Sequence, residues 1–453
     1  MGNRQDTASV SARFASFVQR TGYAALPESV RHEAKRSLLN ALGCALGVAQ
    51  SQPVEQAVAV HRQFSGPPQA TLIGRNERLD MLGASFINAV ASNLLDYDDT
   101  HLSTVIHPTA PVAPAALALA EVHGFSGRHV LTAFVLGAEV ECRIGNGVSP
   151  GHYARGWHIT STCGAFGAAA ASAKLLDLGT QQVADALGIA ASQSAGLVEN
   201  LPSAAKNVSV GNAARNGLFA ALMAQAGYEA APKAIEGPLG WAQAMGDTPD
   251  TQAMLDSLGE SWELARNTYK PYPSGIVFHA VTDACLALRR DYALDPDAIR
   301  SVTVKGDSLL LARGDRPVNN ARDARVSIHH TAAIAFLLGT ATVRDYEASA
   351  VMDPKIQTFR AKVHAELAPD LPRGAARVEV ALTDGRILVA TVLHPRGSEE
   401  QPLSDAEIEA KVRNCAATGS PGCDVDRVIR LIWRLEEQSD TKALMTALVP
   451  SRG

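Results

Sequence analysis

Between residue 8 and about residue 265 the apolar residues of this chain recur at helical spacing, with alanine filling the positions between them. The pattern runs through SVRHEAKRSLLNALGCALGVA, LGASFINAVASNLL, APAALALAEVHG, GRHVLTAFVLGAEVECRIG, QVADALGIAASQSAGL and GNAARNGLFAALMAQAG, while strand signals are nearly absent. Alanine at contact positions lets helix axes approach closely, and most of these segments end in or just before Gly, a common helix stop. The spacing predicts an all-α domain here.

The character changes near Lys270. IRSVTVK alternates Ile299, Val302 and Val304 with polar positions, and RVEVALTDGRILVATV sets two β-branched runs around Asp384-Gly385, a two-residue hairpin signal. Helical stretches, TAAIAFLLG and DPKIQTFRAKVHAEL, are expected between them. After Pro402 the helical pattern returns, with Ser404 and Glu407 spaced as a capping box before IEAKV and a further helix at VDRVIRLIWRLEE. The expectation is a mainly α protein: a large all-α helical domain, residues 1–267 and 403–453, with an inserted α+β lid domain, 268–402.

A chain of 453 residues with 46% apolar and 19% charged residues has ample material for a buried core. A net charge of −5 without a long basic run argues against nucleic acid and gives no reason to expect membrane binding, which leaves a small molecule as the expected partner. The six cysteines lack CxxC or Cys/His ligand spacing and read as reduced thiols. MGNRQDTASVSARFASF has no long apolar core of a signal peptide, Asp6 replaces the Ser or Thr of a myristoylation signal, and CGAFGAAAASAKLL is too short to cross a bilayer. A cytoplasmic location is expected.

The polar stretch LDYDDTHLSTVIHP packs Asp96, Asp98, Asp99, Thr100, His101 and His107 between two Ala-rich apolar segments. Like charges placed between segments that seek burial are costly unless they face solvent, a cation or a ligand. A solvated turn and an oxygen-ligand metal site are the rival readings; the glycine and bidentate Glu of an EF-hand are missing.

Three further polar islands stand out. GHYARGWHITST carries His152, Tyr153, Arg155 and His158 just before the Gly/Ala-rich helix, where helix N–H groups favour an anion, although a histidine there also serves as a cap or core partner. In SAAKNVSVGNAARNG, Lys206 precedes a helix carrying Arg215. In NTYKPYPSG, Lys270 lies among two Tyr and two Pro, with a structural salt bridge as the alternative. Carboxylate, hydroxyl, two imidazoles and two ammonium groups are the equipment for moving a proton at carbon beside a carboxylate. No Walker loop, GxGxxG, GxSxG or HExxH is present, so no cofactor and no metal are expected.

The blocks NALGCALG, LDYDDTHLSTVIHP, GWHITSTCGAFGAAAASAKLLDLG, KNVSVGNAARNG and KPYPSGIVFHAVTDA, in this order, resemble the MmgE/PrpD family over essentially the whole chain. That family includes 2-methylcitrate dehydratases, cis-aconitate decarboxylases and an iminodisuccinate epimerase. The resemblance implies a helical domain plus an α+β lid, a homodimer, an active site in the cleft between domains, and no required metal or iron–sulfur cluster. It implies catalytic roles for Asp96, Thr100, His107, His158, Lys206 and Lys270. Tyr153, five residues before His158 as in epimerase-like members, is implied in substrate contact. Two departures stand out: His330 occupies the position of a lid Tyr in the SxxY segment, and the spacing from Asp96 to His107 is one residue longer than the decarboxylase pattern.

The resulting expectation is a cofactor-independent lyase of the dehydratase type, acting on a small di- or tricarboxylate by α-proton abstraction. An epimerase or isomerase of an aminated or hydroxylated dicarboxylate, a cis-aconitate-type decarboxylase, and a catalytically silent binding protein are the alternatives.

Overall fold

The computed structural model of the protein describes residues 9–451; residues 1–8, on which part of the targeting reading rests, lie outside the described residues. The chain is mainly α-helical and divides into two compact units. One takes the residues up to Leu94, Asp98–Asn267 and those from Asp405 onward; the other takes Leu95–Tyr97 and Thr268–Ser404.

In the first unit the principal helices are α1 (Val10–Arg20), α2 (Glu28–Leu46), α3 (Met81–Leu94), α4 (Thr109–His123), α5 (Gly127–Val148), α6 (Ile159–Leu175), α7 (Thr180–Ala191) and α8 (Ala205–Gln225). The alanine-rich α6 is central and packs against α4, α5, α7 and α8. Its Ala165, Phe166, Ala169, Ala170 and Ala173 share one apolar core with Val140 and Ile144 of α5 and Ala213, Ala220 and Ala221 of α8. The many small side chains of α6 make this crowding possible. Lys206, which the sequence reading set ahead of the helix, lies inside the first turn of α8, because the helix begins at Ala205 and not at Gly211. The helical reading overlooked short strands, among them the antiparallel pair Ala70–Thr71 with Arg78–Leu79 and the strand Asp99–His101. The helices Asp405–Gly419 and Val425–Trp433 belong to this unit.

The second unit is built on a four-stranded sheet of β1 (Ile299–Gly306), β2 (Val363–Leu367), β3 (Ala376–Leu382) and β4 (Ile387–Val392). The order is β2-β1-β3-β4, with β2 parallel to β1 and the other pairs antiparallel. Val302 and Val304 pair with Val380 and Val378, and these four residues join Ala284 and Leu288 of α9 (His279–Asp291) and Ala332 and Phe336 of α10 (Ile328–Leu338) in a second core.

Two sequence expectations change in this unit. DPKIQTFRAKVHAEL is helical only over Pro354–Arg360, and VHAEL becomes β2, because Val363 finds a parallel partner in Val302. The hairpin around Asp384-Gly385 is present, but Leu382 N–H donates to Arg386 O, so its loop spans Thr383, Asp384 and Gly385 instead of two residues. Asp384 accepts both the backbone N–H and the guanidinium of Arg386, which stabilises the wider loop. No helix among the described residues is long and apolar enough to cross a membrane.

Candidate active site

In the first unit, the segment after Asp98 forms the short strand Asp99–His101 and doubles back, His101 N–H donating to Ile106 O at 2.8 Å. The reversal forces Val105 to φ 56, a left-handed backbone that costs a β-branched residue free energy. Thr104 Oγ1 holds the reversal from inside, accepting from Ile106 N–H at 3.3 Å and bonding His101 Nδ1 at 2.8 Å.

His107 emerges from this turn half-buried. Its N–H donates to Thr160 Oγ1 at 3.1 Å, in the first turn of α6, and its Nδ1 lies 2.8 Å from Asp99 O. A carbonyl oxygen only accepts, so Nδ1 carries the proton, and in the neutral ring Nε2 is the basic nitrogen. Thr100 Oγ1 at 3.4 Å and Asp98 Oδ1 at 3.6 Å flank the same Nδ1. Asp98 is itself fixed: its Oδ2 accepts from Asn93 Nδ2 at 2.6 Å, and Asn93 Oδ1 accepts from Asn207 Nδ2 of α8 at 2.9 Å.

His158 is the residue that begins α6, and its side chain makes no cap bond. Its Nδ1 lies 3.0 Å from Ser161 Oγ, whose own proton goes to His158 O at 2.9 Å, so Nδ1–H is again the donor and Nε2 the base. Ser209 Oγ, 3.5 Å away, spends its proton on Lys206 O at 2.7 Å. The neighbouring chain must come very close: Gly196, at φ 143, accepts His158 N–H through its carbonyl, and a Cβ there would sit 2.0 Å from Ser161 Oγ. Lys206 is buried in the first turn of α8. A cation at a helix N-terminus opposes the helix dipole, so this ammonium does not serve helix stability.

Buried ionisable groups underlie these residues. Burial, with Asp98 adding to it, pushes Asp99 up to about 7 against hydrogen bonds from Thr109 (2.5 Å) and Asn267 (2.6 Å). Burial likewise raises Glu139 to about 7, although Arg143 Nε lies 2.6 Å away, and raises Glu141 well above the carboxylate range. A hydrogen bond from His101 Nε2 at 2.9 Å holds Glu263 down at about 2, so His101 is a structural partner and not a reacting group.

Within the second unit, Lys270 Nζ lies 2.9 Å from Asp96 Oδ1 and 3.1 Å from Asp96 O. Asp96 sits at φ 53, a conformation that aspartate tolerates better than most residues, with its backbone O and Oδ1 both toward one ammonium. Arg325 Nη1 donates to Leu95 O and Pro273 O, and Tyr97 OH donates to Pro271 O at 2.9 Å, tying LDY to KPYPS. These bonds explain why Leu95–Tyr97 groups with residues far along the chain, which sequence order does not reveal. His330 is buried, with Nε2–H donating to Asp345 O at 2.8 Å, and burial lowers its basicity to about 4.

The structure brings Thr100 to His107, and Asp96 to Lys270. His158 and Lys206 are linked through Ser209. Tyr153, on the short helix Gly151–Ala154, packs against the apolar core of the first unit. Sequence reading passed over the supporting Asn93, Ser161, Asn207 and Ser209, which carry no distinctive spacing. It also passed over Glu139 and Glu141, although carboxylates in the apolar run AEVECRIG met the criterion that singled out DYDD.

The MmgE/PrpD N-terminal domain model matches residues 12–254, and the MmgE/PrpD C-terminal domain model matches residues 272–437. The chain belongs to the MmgE/PrpD family. It is 28% identical over 459 residues to the cis-aconitate decarboxylase of Homo sapiens, covering 97% of this chain and 94% of that protein. The Mus musculus cis-aconitate decarboxylase is 27% identical with 97% and 93% covered, and that of Aspergillus terreus 26% with 93% and 92%. These relatives carry the activity that the spacing from Asp96 to His107 had ranked below dehydration.

Proposed function

We propose that this member of the MmgE/PrpD family is a lyase that acts on a small di- or tricarboxylate without a cofactor, by proton transfer at the carbon beside a carboxylate. The observation that carries the reading is the matched pair of imidazoles: His107 and His158 each hold Nδ1–H in a hydrogen bond, which makes Nε2 the proton-exchanging atom in both. Lys206 and Lys270 bind substrate carboxylates and stabilise the enolate-like charge that develops; Asp96 orients Lys270, Thr100 orients His107, and Tyr153 contacts substrate. In dehydration, one histidine takes the α-proton and the other protonates the departing hydroxide. The names of the relatives favour a second reading, loss of CO₂ from a cis-aconitate-like acid, in which the same histidines protonate the carbon left behind.

In this proposal the second unit is an inserted lid, and the protein works as a cytoplasmic homodimer. Val208 and Phe219, three turns apart on α8 and 45% and 39% exposed, give a second copy an apolar face to cover.

Incubation with citrate, 2-methylcitrate, cis-aconitate and aminated dicarboxylates in D₂O, followed by proton NMR, separates the readings. Water loss supports dehydration and CO₂ loss supports decarboxylation, whereas deuterium exchange with neither marks an epimerase. No change in any acid overturns the enzyme reading. Activity is expected to survive extensive EDTA treatment; loss on chelation that Mg²⁺ or Mn²⁺ restores would assign the DYDDT carboxylates to a metal.

A further inference from the structure

The sheet of the second unit ends in β4, which has a partner strand on one side only. Leu382 N–H donates to Arg386 O, so from that pair onward every second residue of β4, Leu388, Ala390 and Val392, spends its backbone groups on β3, in register with Val380, Val378 and Ala376. Ile387, Val389 and Thr391 turn theirs away from the sheet, where no described residue bonds them. Their side chains lie on the outer face, with Ile387 64% and Val389 50% exposed.

Proteins blunt such an edge with a charge, a proline or a bulge, and ILVATV has none of the three. The lack is local to this strand. On the neighbouring strands the same face carries ion pairs, Lys305 with Glu379 at 2.8 Å and Arg377 with Asp370 at 3.0 Å. An edge with open donors and acceptors and an apolar outer row fits one kind of partner, another strand.

We propose that β4 pairs antiparallel with β4 of a second copy about a two-fold axis at Val389, making the two sheets continuous. The outward residues fix this register. Val389 faces Val389 and Ile387 faces Thr391, so all three residues that turn outward find partners and none is left over. The ends fit as well: Arg386 falls opposite uncharged Val392, and Asp384, past one end of the strand, falls opposite His394, past the other, so no like charges meet. The contact is one strand wide, small beside a standard interface, and uses no residue of α8. It is therefore read by covalent capture and not by sedimentation.

A short bismaleimide added to full-length cysteine variants reads the register. In a hydrogen-bonded pair the two Val389 Cα atoms lie about 5.5 Å apart, whereas the two Ile387 Cα atoms, four residues out of register, lie about 15 Å apart. Both positions are exposed, so neither substitution disturbs the core. Val389→Cys is expected to give a covalent dimer, while Ile387→Cys and the wild type with its native thiols give little. Ile387→Cys mixed with Thr391→Cys is expected to regain the cross-link. No dimer from Val389→Cys, as much dimer from Ile387→Cys alone, or none from the mixture overturns the proposal. The α8 homodimer has a separate fate: a wild-type protein that sediments as a monomer removes it and leaves this test standing.

Discussion

His107 and His158 are reached by different backbones, a strained turn through Val105 and a helix start at Ile159, yet both present Nδ1 to an acceptor and leave Nε2 basic. The proposed function assigns proton exchange to both rings. His107→Ala and His158→Ala are each expected to lower kcat by about 10²–10⁴-fold with little change in melting temperature. Near-wild-type turnover in either variant would make that histidine structural. Lys206→Ala is expected mainly to raise KM, since an ammonium that meets the substrate carboxylate binds ground and transition states alike. Lys270 differs because Asp96 already partners it. Lys270→Met, which removes the ammonium beside Asp96, is expected to lose stability as well as affinity. Adding Asp96→Asn should restore the melting temperature but not KM, and a double variant that regains affinity would reduce the pair to a structural salt bridge.

At the level of elements, the short helix Gly151–Ala154 and α10 each bury a histidine that resists protonation. His152, held by Met245 O and Thr162 Oγ1, is lowered to about 4, and His330 on α10 is likewise lowered to about 4, both chiefly by burial. The unfolded chain takes up these protons near the ordinary histidine value of 6.5, whereas the native rings do not. Stability is therefore lost as pH falls from about 6.5 toward 4, by at most roughly 3 kcal/mol for each ring. Asp99 and Glu139 act in the opposite sense: raised to about 7, they lose stability as pH rises through that value. Thermal denaturation of His152→Gln across this range isolates one contribution. The variant is expected to be less stable at neutral pH but to show a shallower decline on acidification; a decline parallel to wild type would mean that the ring is not held neutral.

For the whole molecule, the apolar face of α8 carries a prediction about assembly. Phe219→Glu is expected to shift sedimentation from dimer to monomer; a wild-type protein that sediments as a monomer would remove the homodimer from the proposal. The helical half was legible from residue order because α-helix periodicity is local, and alanine with terminal glycines marks where helices cross and stop. The carboxylates and imidazoles of LDYDDTHLSTVIHP were legible because polar groups between apolar runs are costly without a purpose. Tertiary structure alone decided the rest. VHAEL became a strand because Val302 was there to pair with it, and Leu95–Tyr97 joined distant residues through Lys270, Pro271 and Arg325. Which nitrogen of each histidine is basic depended on Asp99 O and Ser161 Oγ, and the rise of Glu141 above the carboxylate range depended on burial. Helical periodicity is a property of neighbours in the chain, whereas a proton's position is set by groups that only folding brings together.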